Sequence, residues 1–385
     1  MKKFTEFNIS KEIQMALEQL GFEEATIIQE LAIPIATEGK DLIGQSQTGT
    51  GKTFAFGIPI LDNILQNNNH QIQALVICPT RELAVQVSNE FDKLTAFTKI
   101  RNIAVYGGEY IDKQIKGLKK KVQIVIGTPG RILDHIERKT IKLDHVRFVV
   151  LDEADEMLTM GFSESLQTIL AEVPKERHLL LFSATMPREI SSIAASYMHQ
   201  PKEIIVGTKN EGNKNIRHYY YVVSARHKYL ALKRIADYYP DIYGIIFCRT
   251  RRETQEIADQ LIRDGYNADA LHGELSQAQR DYVMQKFRIR NLQLLVATDV
   301  AARGLDVNDL THVIHYGLPD DIESYTHRSG RTARAGKMGI SIAICHSRER
   351  GRLRDIERIS HATIERKHLP TGQAICEKQL FHLAD

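Results

Sequence analysis

The sequence predicts an α/β protein made of two doubly wound parallel-sheet domains joined by a short linker. Short apolar runs, typical of buried parallel strands, alternate along the chain with longer segments of helical pattern. Such alternation predicts a parallel sheet covered by helices. Residues 208–215 are polar and lack periodicity, which indicates a linker. We expect the first domain over residues 1–207, the second over 216–368 and a short C-terminal extension over 369–385.

The strands are predicted from the positions of the apolar runs. In the first domain these runs are residues 41–44, 73–78, 122–126, 148–151 and 179–182. In the second domain they are residues 243–248, 294–298, 312–316 and 362–366. Near the end of the chain, we expect a charged helix over residues 351–359, and residues 370–385 also have a helical pattern.

The composition describes a globular chain and argues against several classes of protein. The chain has 385 residues, of which 43% are hydrophobic and 26% charged. The four cysteines lie far apart without a CxxC pair, which argues against a zinc site and a disulfide scaffold. No apolar run approaches the roughly 20 residues of a membrane helix, and no signal-type segment opens the chain. We therefore expect a cytoplasmic protein with no membrane partner.

A phosphate-binding loop is predicted between the first apolar run and the helical segment that follows it. Residues 46–53 fit the pattern GxxxxGK[ST], except that Ser46 takes the place of the first glycine. Backbone N–H groups would cradle phosphate oxygens, Lys52 would reach the β and γ phosphates, and Thr53 would help to hold Mg²⁺. An ordinary glycine-rich turn is the alternative, but motif and flanking elements agree. The predicted nucleotide contacts are Ser46, Gln47, Thr48, Gly49, Thr50, Gly51, Lys52 and Thr53.

Two carboxylates follow the apolar run at residues 148–151. Asp152 would hold Mg²⁺ through its outer shell, and Glu153 would orient or deprotonate the attacking water. A solvated helix start, where negative charge is favourable, is the alternative, and it applies in part to Asp155 and Glu156. With the phosphate-binding loop, these carboxylates predict hydrolysis of a nucleoside triphosphate.

The whole series of motifs, with Asp152-Glu153-Ala154-Asp155 at its centre, resembles the DEAD-box ATP-dependent RNA helicases from residue 4 to about 369. The chain looks most like the bacterial cold-shock and ribosome-assembly type. The resemblance implies two RecA-like domains, ATP and Mg²⁺ as cofactors, and RNA-stimulated ATP hydrolysis. It also implies that closure of the two domains locally unwinds short RNA duplexes or remodels ribonucleoprotein.

Residues 21–29 resemble the family's adenine-recognition motif. By that resemblance Gln29 reads the adenine edge and Phe4 packs on the adenine ring, so ATP is preferred over GTP. Ala25 stands where the family usually has proline. For Phe4 a second interpretation stays open, namely a hydrophobic anchor for the terminal segment.

The resemblance further implies an RNA track at strand ends, where ligands of open α/β sheets gather. In the first domain its residues are Pro79, Thr80, Arg81, Gly107, Gly108, Thr128, Pro129, Gly130 and Arg131. In the second domain they are Arg249, Thr250, Gln277, Arg280 and Thr298. Each of these residues, taken alone, is also compatible with an ordinary connection between a strand and a helix. Contacts to phosphates and sugars would give the protein only a weak preference for RNA sequence. Contacts to 2′-hydroxyls would distinguish RNA from DNA.

Arg331 and Arg334 are three residues apart, which predicts one face of a helix, and the resemblance makes them arginine fingers for the γ-phosphate. Because Lys52 lies in the other domain, hydrolysis would require domain closure. The resemblance assigns Gly304 and Asp306 to the nucleotide side. It also assigns four residues to the coupling between ATP binding and RNA binding: Asp155, Ser183, Thr185 and His327.

The expected partners are single-stranded RNA, short RNA duplexes, and proteins of ribosome assembly or RNA decay, with a monomeric core. The net charge of +3 is too small to indicate nucleic-acid binding by itself. Basic clusters at residues 116–121 and 348–358 are either phosphate contacts or solvated surface. Two rival functions stay open: a DNA helicase built on the same two domains, and an ATP-dependent RNA clamp that mainly holds a complex together.

Overall fold

The computed structural model describes residues 1–46, 49–67, 69–206, 215–302, 307, 310–320, 322–333, 337–360 and 362–384. The chain divides into two compact units, Met1–Gly207 and Thr208–Asp385. Of the predicted linker, residues 208–214 lie outside the described residues.

The described part of the first unit contains a seven-stranded sheet in the order β3-β4-β2-β5-β6-β1-β7, and all of its strand pairs are parallel. Its strands are β1 (Leu42–Gln45), β2 (Ala74–Ile77), β3 (Asn102–Val105), β4 (Ile124–Gly127), β5 (Phe148–Leu151), β6 (His178–Ser183) and β7 (Lys202–Ile205). Its helices are α1 (Lys11–Gln19), α2 (Ile27–Thr37), α3 (Lys52–Gln66), α4 (Arg81–Leu94), α5 (Ile111–Leu118), α6 (Pro129–Glu137), α7 (Ala154–Thr159), α8 (Ser163–Glu172) and α9 (Arg188–Tyr197).

The described part of the second unit contains another seven-stranded parallel sheet, in the order β10-β11-β9-β12-β13-β8-β14. Its strands are β8 (Ile216–Val222), β9 (Gly244–Cys248), β10 (Ala268–Leu271), β11 (Leu294–Thr298), β12 (His312–His315), β13 (Gly339–Cys345) and β14 (Ile364–Arg366). Its helices are α10 (Lys228–Tyr238), α11 (Arg251–Arg263), α12 (Gln277–Arg288), α13 (Asp299–Ala302), α14 (Ile322–Ser329), α15 (Arg350–Ser360) and α16 (Gly372–Ala384).

Both faces of the first sheet are covered, which explains why its central strands are apolar at every position. In β2, Ala74 and Val76 pack into the core on one face, whereas Leu75 and Ile77 pack into the core on the other. A strand buried on both faces has no polar alternation. The predicted fold class, two doubly wound parallel-sheet domains, is therefore confirmed. Among the described helices, none is long and apolar enough to cross a membrane.

Parallel strands also bring their following loops to one edge of the sheet. In the first unit, the loops after β1, β2, β4, β5 and β6 carry most of the predicted site residues. The strand order sets β1, β6 and β5 side by side. As a result, the segments after Gln45, Leu151 and Ser183 meet at adjacent positions.

Candidate functional site

The phosphate-binding loop connects β1 to the N-terminus of α3. Gly49 and Gly51 have φ angles of +80° and +92°, a left-handed conformation that favours glycine. The Lys52 side chain is buried, and its Nζ donates to the Ser46 carbonyl oxygen at 3.3 Å. Hence the Ser46 carbonyl oxygen holds the lysine amine close to the N-terminus of α3, which is a favourable environment for an anion. Gln47 and Thr48 lie outside the described residues.

Gln29 ties the start of α2 to this loop. Its Oε1 accepts from the Thr26 backbone N–H at 2.9 Å, and its Nε2 donates to the Gly51 carbonyl oxygen at 3.0 Å. A Cβ atom on Gly51 would lie 2.4 Å from Gln29 Nε2. Glycine at this position is therefore required both by the φ angle and by the close approach of the amide.

The predicted adenine residue Phe4 lies in the hydrophobic core, with 4% of its surface exposed. Its ring centroid is 6.0 Å from that of Phe7, and its backbone N–H donates to the Glu23 carbonyl oxygen. This burial fits the hydrophobic-anchor interpretation. Ala25 adds to the anchoring, because its N–H donates to the Lys2 carbonyl oxygen at 2.9 Å, a bond that proline cannot make.

The two predicted catalytic carboxylates follow β5 and are buried. Burial raises the pKa of Asp152 to about 6, and the positive charge of Lys52 opposes that rise. Glu153 has φ and ψ of 51° and 51° and precedes α7, and its N–H donates to Asp152 Oδ1 at 3.0 Å. A non-glycine residue with this backbone conformation is strained, and such strain concentrates at functional sites.

Asp155 joins the start of α7 to the end of β6. Its Oδ2 accepts from the Thr185 backbone N–H at 2.8 Å and from Thr185 Oγ1 at 2.9 Å. Ser183 Oγ accepts from the Asp155 N–H at 3.2 Å and donates to the Thr185 carbonyl oxygen at 2.7 Å. Asp155 and Glu156 are buried, so the prediction of a partly solvated helix start is wrong for both. The physical reason is that α7 packs its first turn beneath the loop after β6.

The side chains fit a magnesium ion that arrives with a nucleotide. No cluster of three His, Cys, Asp or Glu side chains suited to a metal occurs in the described part of the chain. Mg²⁺ typically keeps several waters and uses only one or two carboxylates together with substrate phosphates. Asp152 and the Thr53 hydroxyl on the first turn of α3 provide donors of that kind.

The predicted RNA residues of the first unit lie at the starts of α4 and α6 and in the loop after β3. Thr80 caps α4, since its Oγ1 accepts from the Leu83 N–H at 3.2 Å. The Arg81 guanidinium lies 4.7 Å from the centre of the Tyr106 ring. Thr128 is the N-cap residue of α6 and Pro129 its first residue. Pro79 precedes this cap of α4, while Gly107 and Gly108 follow Tyr106, and Gly130 and Arg131 follow Pro129.

In the second unit, the predicted RNA residues lie after β9, at the start of α12 and at the end of β11. Thr250 caps α11 by accepting from the Glu253 N–H at 3.1 Å. Arg280 Nη2 donates to the Ala301 carbonyl oxygen at 3.4 Å, which joins α12 to α13. Arg249 Nε donates to the Leu318 carbonyl oxygen at 3.0 Å. Gln277 is the first residue of α12, and Thr298 is the last residue of β11.

The predicted helix face carrying both arginine fingers is wrong for Arg331. Helix α14 ends at Ser329, and Arg331 follows it in a turn. The helix stops there because Thr332 forms a bridge with Leu310 and its hydroxyl donates to the Leu310 carbonyl oxygen. His327 lies in the last turn of α14. Arg334, Gly304 and Asp306 lie outside the described residues.

Comparisons with known proteins agree with this arrangement. The DEAD/DEAH box helicase family model matches residues 26–193, and the helicase conserved C-terminal domain model matches residues 228–336. The ATP-dependent RNA helicase CshA of Listeria monocytogenes is 50% identical over 380 residues, which cover 99% of this chain and 73% of that protein. The chain belongs to the DEAD-box family of ATP-dependent RNA helicases. The predicted enzyme class, an RNA helicase and RNA-dependent ATPase, is thereby confirmed.

Further relatives and solved structures support the same assignment of this helicase. CshA of Geobacillus kaustophilus is 48% identical over 379 residues, 98% of this chain and 81% of that protein. The structure of S. cerevisiae Dbp5 bound to RNA and ADP BeF3 superposes with a TM-score of 0.88 at 27% identity, covering 100% of this chain and 99% of that chain. Mss116p bound to ssRNA and AMP-PNP gives a TM-score of 0.86 at 27% identity, covering 98% and 80%.

Two residues of the helicase have site contacts that the motifs did not predict. Arg328 is buried and pairs with Asp299 through Nε at 2.5 Å and Nη2 at 2.6 Å, which anchors α14 to α13. Gln114 is buried on α5 and bonds to Arg131. A charged residue inside a diagnostic motif could have indicated Arg328. Gln114 stands in an ordinary polar helix, so the sequence offered no comparable signal.

Proposed function

We propose that this helicase binds ATP and Mg²⁺ at the carboxyl edge of the first sheet and couples ATP hydrolysis to RNA bound at the ends of neighbouring strands. One observation carries the proposal: Lys52, after β1, and Asp152 and Glu153, after β5, are all buried on either side of β6, and the charges of Lys52 and Glu153 act on Asp152. The relatives Dbp5 and Mss116p, solved with RNA and nucleotide analogues, support both ligands.

Nucleotide binding uses the loop and the start of α3. Backbone N–H groups near Gly49 and Gly51 bind phosphate oxygens, and Lys52 neutralises charge on the β and γ phosphates. Thr53 and Asp152 would hold Mg²⁺, which when bound neutralises further charge on the phosphates. Gln29 reads the adenine edge from its fixed position beside Gly51.

Hydrolysis depends on Glu153, held in its strained conformation at the end of β5. Its carboxylate orients the attacking water or removes a proton from it. Arg331 and Arg334 stabilise the charge that develops on the transferred phosphoryl group, an effect worth roughly 10³ to 10⁵ in rate in other nucleotide hydrolases. Gly304 and Asp306 act on the nucleotide side. Since the two sets of residues belong to different units, hydrolysis requires that the units close on ATP.

RNA binding uses the predicted track in both units. The N-termini of α4 and α6 bind phosphates because the helix dipole favours negative charge there, and the glycines after β3 allow a close approach of the backbone. In the second unit, Arg249, Thr250, Gln277, Arg280 and Thr298 extend the track. Contacts of this kind position RNA with little regard to its sequence.

Coupling passes through the contact between Asp155 and the loop after β6, together with His327. ATP and RNA jointly favour the closed state, which bends one strand so that a short duplex parts, and hydrolysis restores the open state. A cytoplasmic location, a monomeric core and partner proteins of ribosome assembly or RNA decay stay predictions.

Steady-state ATP hydrolysis tests the proposal. The rate is measured without nucleic acid, with single-stranded RNA and with DNA of the same sequence, beside the Glu153→Gln variant. We expect strong stimulation by RNA alone and none in the variant. Equal stimulation by DNA would favour the rival DNA helicase. Tight RNA binding in the presence of ATP, combined with very slow ATP hydrolysis and a long-lived RNA complex, would favour the rival RNA clamp.

A further inference from the structure

The side-chain amide of Gln114 uses all of its hydrogen-bonding positions. Its Nε2 donates to the Tyr106 carbonyl oxygen at 3.0 Å and to Glu109 Oε2 at 3.2 Å. Its Oε1 accepts from Arg131 Nη1 at 3.0 Å and lies 3.1 Å from His135 Nε2. A primary amide has two N–H donors and an oxygen with two lone pairs, so this buried side chain is fully satisfied.

These contacts join two segments of the predicted RNA track. Tyr106 and Glu109 flank Gly107-Gly108 in the loop after β3, whereas Arg131 and His135 belong to α6. We call the set of Gln114, Arg131, Tyr106, Glu109 and His135 the Gln114 clasp. Through the clasp, the glycine loop is held against the first turn of α6.

Arg131 contributes to the clasp through Nη1, and its Nε faces a carboxylate on the same helix. Its Nη1 also donates to the Glu109 carbonyl oxygen at 3.1 Å, and its Nε lies 3.6 Å from Asp134 Oδ2. Only 13% of the Arg131 side chain is exposed. Nη1 and Nε of this mostly enclosed side chain are directed at protein groups, which limits its capacity to bind a phosphate.

The charges around the clasp are consistent with a fixed structure. A hydrogen bond from Lys113 lowers the pKa of Glu109, so its carboxylate is an acceptor for Gln114 at neutral pH. Burial, and then the charge of Arg131, lowers the pKa of His135. A neutral imidazole avoids a second positive charge beside Arg131. The other ring nitrogen, Nδ1, lies 2.8 Å from Thr140 Oγ1.

We propose that Gln114 and Arg131 are positioning residues for RNA: they hold the backbone of Gly107-Gly108 and the N-terminus of α6 in register for successive phosphates, and neither touches the RNA. The proposal rests on the RNA track proposed above. It changes the role of Arg131 from a phosphate ligand to part of the scaffold. Preorganisation of this kind increases affinity because the loop is ordered before RNA arrives.

The test compares RNA binding of Gln114→Met, Arg131→Met and Thr140→Val in the full chain. Methionine preserves side-chain volume but removes the clasp bonds, whereas Thr140→Val removes a bond of His135 on the side away from the loop. Affinity for single-stranded RNA is measured with a non-hydrolysable ATP analogue at several salt concentrations, beside the KM for ATP. Melting temperatures monitor folding. Gln114→Glu, which keeps the acceptor oxygen but loses both N–H donors, replaces Gln114→Met if that variant fails to fold.

We expect Gln114→Met and Arg131→Met each to weaken RNA binding roughly tenfold, with the KM for ATP within twofold of the original. The salt dependence should not change, because no cation leaves a phosphate, whereas loss of a direct ion contact lowers the slope by about 0.7 on a single strand. The double variant should bind as each single variant does, since both remove the same clasp.

Three outcomes would overturn the proposal. The first is wild-type RNA affinity in the Gln114 variants. The second is a reduced salt slope in Arg131→Met, which would make Arg131 a direct phosphate ligand. The third is an equal loss of affinity in Thr140→Val, which would indicate general destabilisation. If the unaltered helicase binds no RNA at all, the proposed RNA function fails as well, and that control separates the two failures.

Discussion

Asp152 is a buried carboxylate, and burial of its negative charge reduces the stability of the folded state. Its environment favours the protonated form, because burial outweighs the opposing charge of Lys52. The pKa of about 6 in the folded state compares with 3.8 for an ordinary aspartate. Between these two values the folded state holds more protons than the unfolded state. Stability contributed by this group therefore falls as pH rises from about 4 to about 6.

The Asp152→Asn variant should consequently be more stable than the original protein at pH 7.5 in the absence of nucleotide. A shift of about two units corresponds to roughly 3 kcal/mol, which is an upper bound for the gain in unfolding free energy. At pH 5 the gain in stability should be about half as large, because the Asp152 carboxyl group of the folded protein is then mostly protonated and uncharged. Thermal unfolding at the two pH values measures both effects.

Asp155→Asn is the matched control for this prediction. Asp155 accepts from Thr185 through both the backbone N–H and Oγ1. Asparagine can accept through only one oxygen, so we expect this variant to be less stable at both pH values. A loss of stability in Asp152→Asn comparable to that of Asp155→Asn would contradict the burial argument.

At the scale of elements, the link between α2 and the phosphate-binding loop should govern nucleotide affinity. Gln29→Leu removes both the bond to Gly51 and half of the α2 cap. We expect the KM for ATP to rise about tenfold and the preference for ATP over GTP to disappear, because the variant lacks the amide that we propose reads adenine. Steady-state hydrolysis at varied ATP and GTP measures this.

Thr26→Ala separates the two roles of Gln29. It removes the other half of the α2 cap, at a cost of about 1 kcal/mol, but leaves the amide beside Gly51. The KM for ATP should stay within twofold of the original. Equal increases in KM for both variants would mean that the stability of α2, rather than the amide, sets nucleotide affinity.

The contact between α7 and the end of β6 should govern coupling rather than hydrolysis itself. The double variant Ser183→Ala/Thr185→Ala removes the hydroxyl bonds to Asp155 and to the Thr185 carbonyl oxygen. We expect much of the RNA-stimulated ATPase activity to remain and duplex unwinding to be lost. Both rates are measured on one short RNA duplex with one preparation, and an equal loss of both would count against a coupling role.

Most central strands could be predicted from the sequence, whereas the edge strands β3, β7 and β10 could not. Strands such as β2 and β5 are apolar throughout because both of their faces are covered. Edge strands β3 and β7 contain polar or exposed residues and were not predicted. Strands β8, β10 and β13 were not predicted either. Strand β8 alternates between buried and exposed positions, and β10 is another edge strand.

The site residues likewise include some that could be predicted from the sequence and others that could not. The phosphate-binding loop and the carboxylates after β5 could be located because their chemistry requires fixed residue types at fixed spacing. Arg331 was placed wrongly because the bridge between Thr332 and Leu310 depends on a distant segment. Gln114 was not predicted because its role depends on four partners in two other segments, the loop after β3 and α6, and its position in the sequence does not indicate these contacts.

At the scale of the whole molecule, we expect each of the two compact units to fold by itself. The two cores of the first unit consist only of residues between Phe4 and Ile204. Among the described residues, the buried cores of the second unit begin at Tyr221. Two units with separate cores and a segment between them are expected to be separate domains.

A fragment of residues 1–207 should therefore unfold cooperatively and still bind a fluorescent ADP analogue, because the phosphate-binding loop, Gln29 and the carboxylates are all present. It should not show RNA-stimulated hydrolysis, since Arg331 and Arg334 are missing, and the rate should fall roughly 10³-fold or more. Thermal unfolding, nucleotide titration and ATPase assays check the three statements. Full-length Arg331→Ala is the matched control and should bind nucleotide but hydrolyse it slowly. A fragment that hydrolyses ATP at the stimulated rate of the full chain would show that the catalytic machinery resides in the first unit alone.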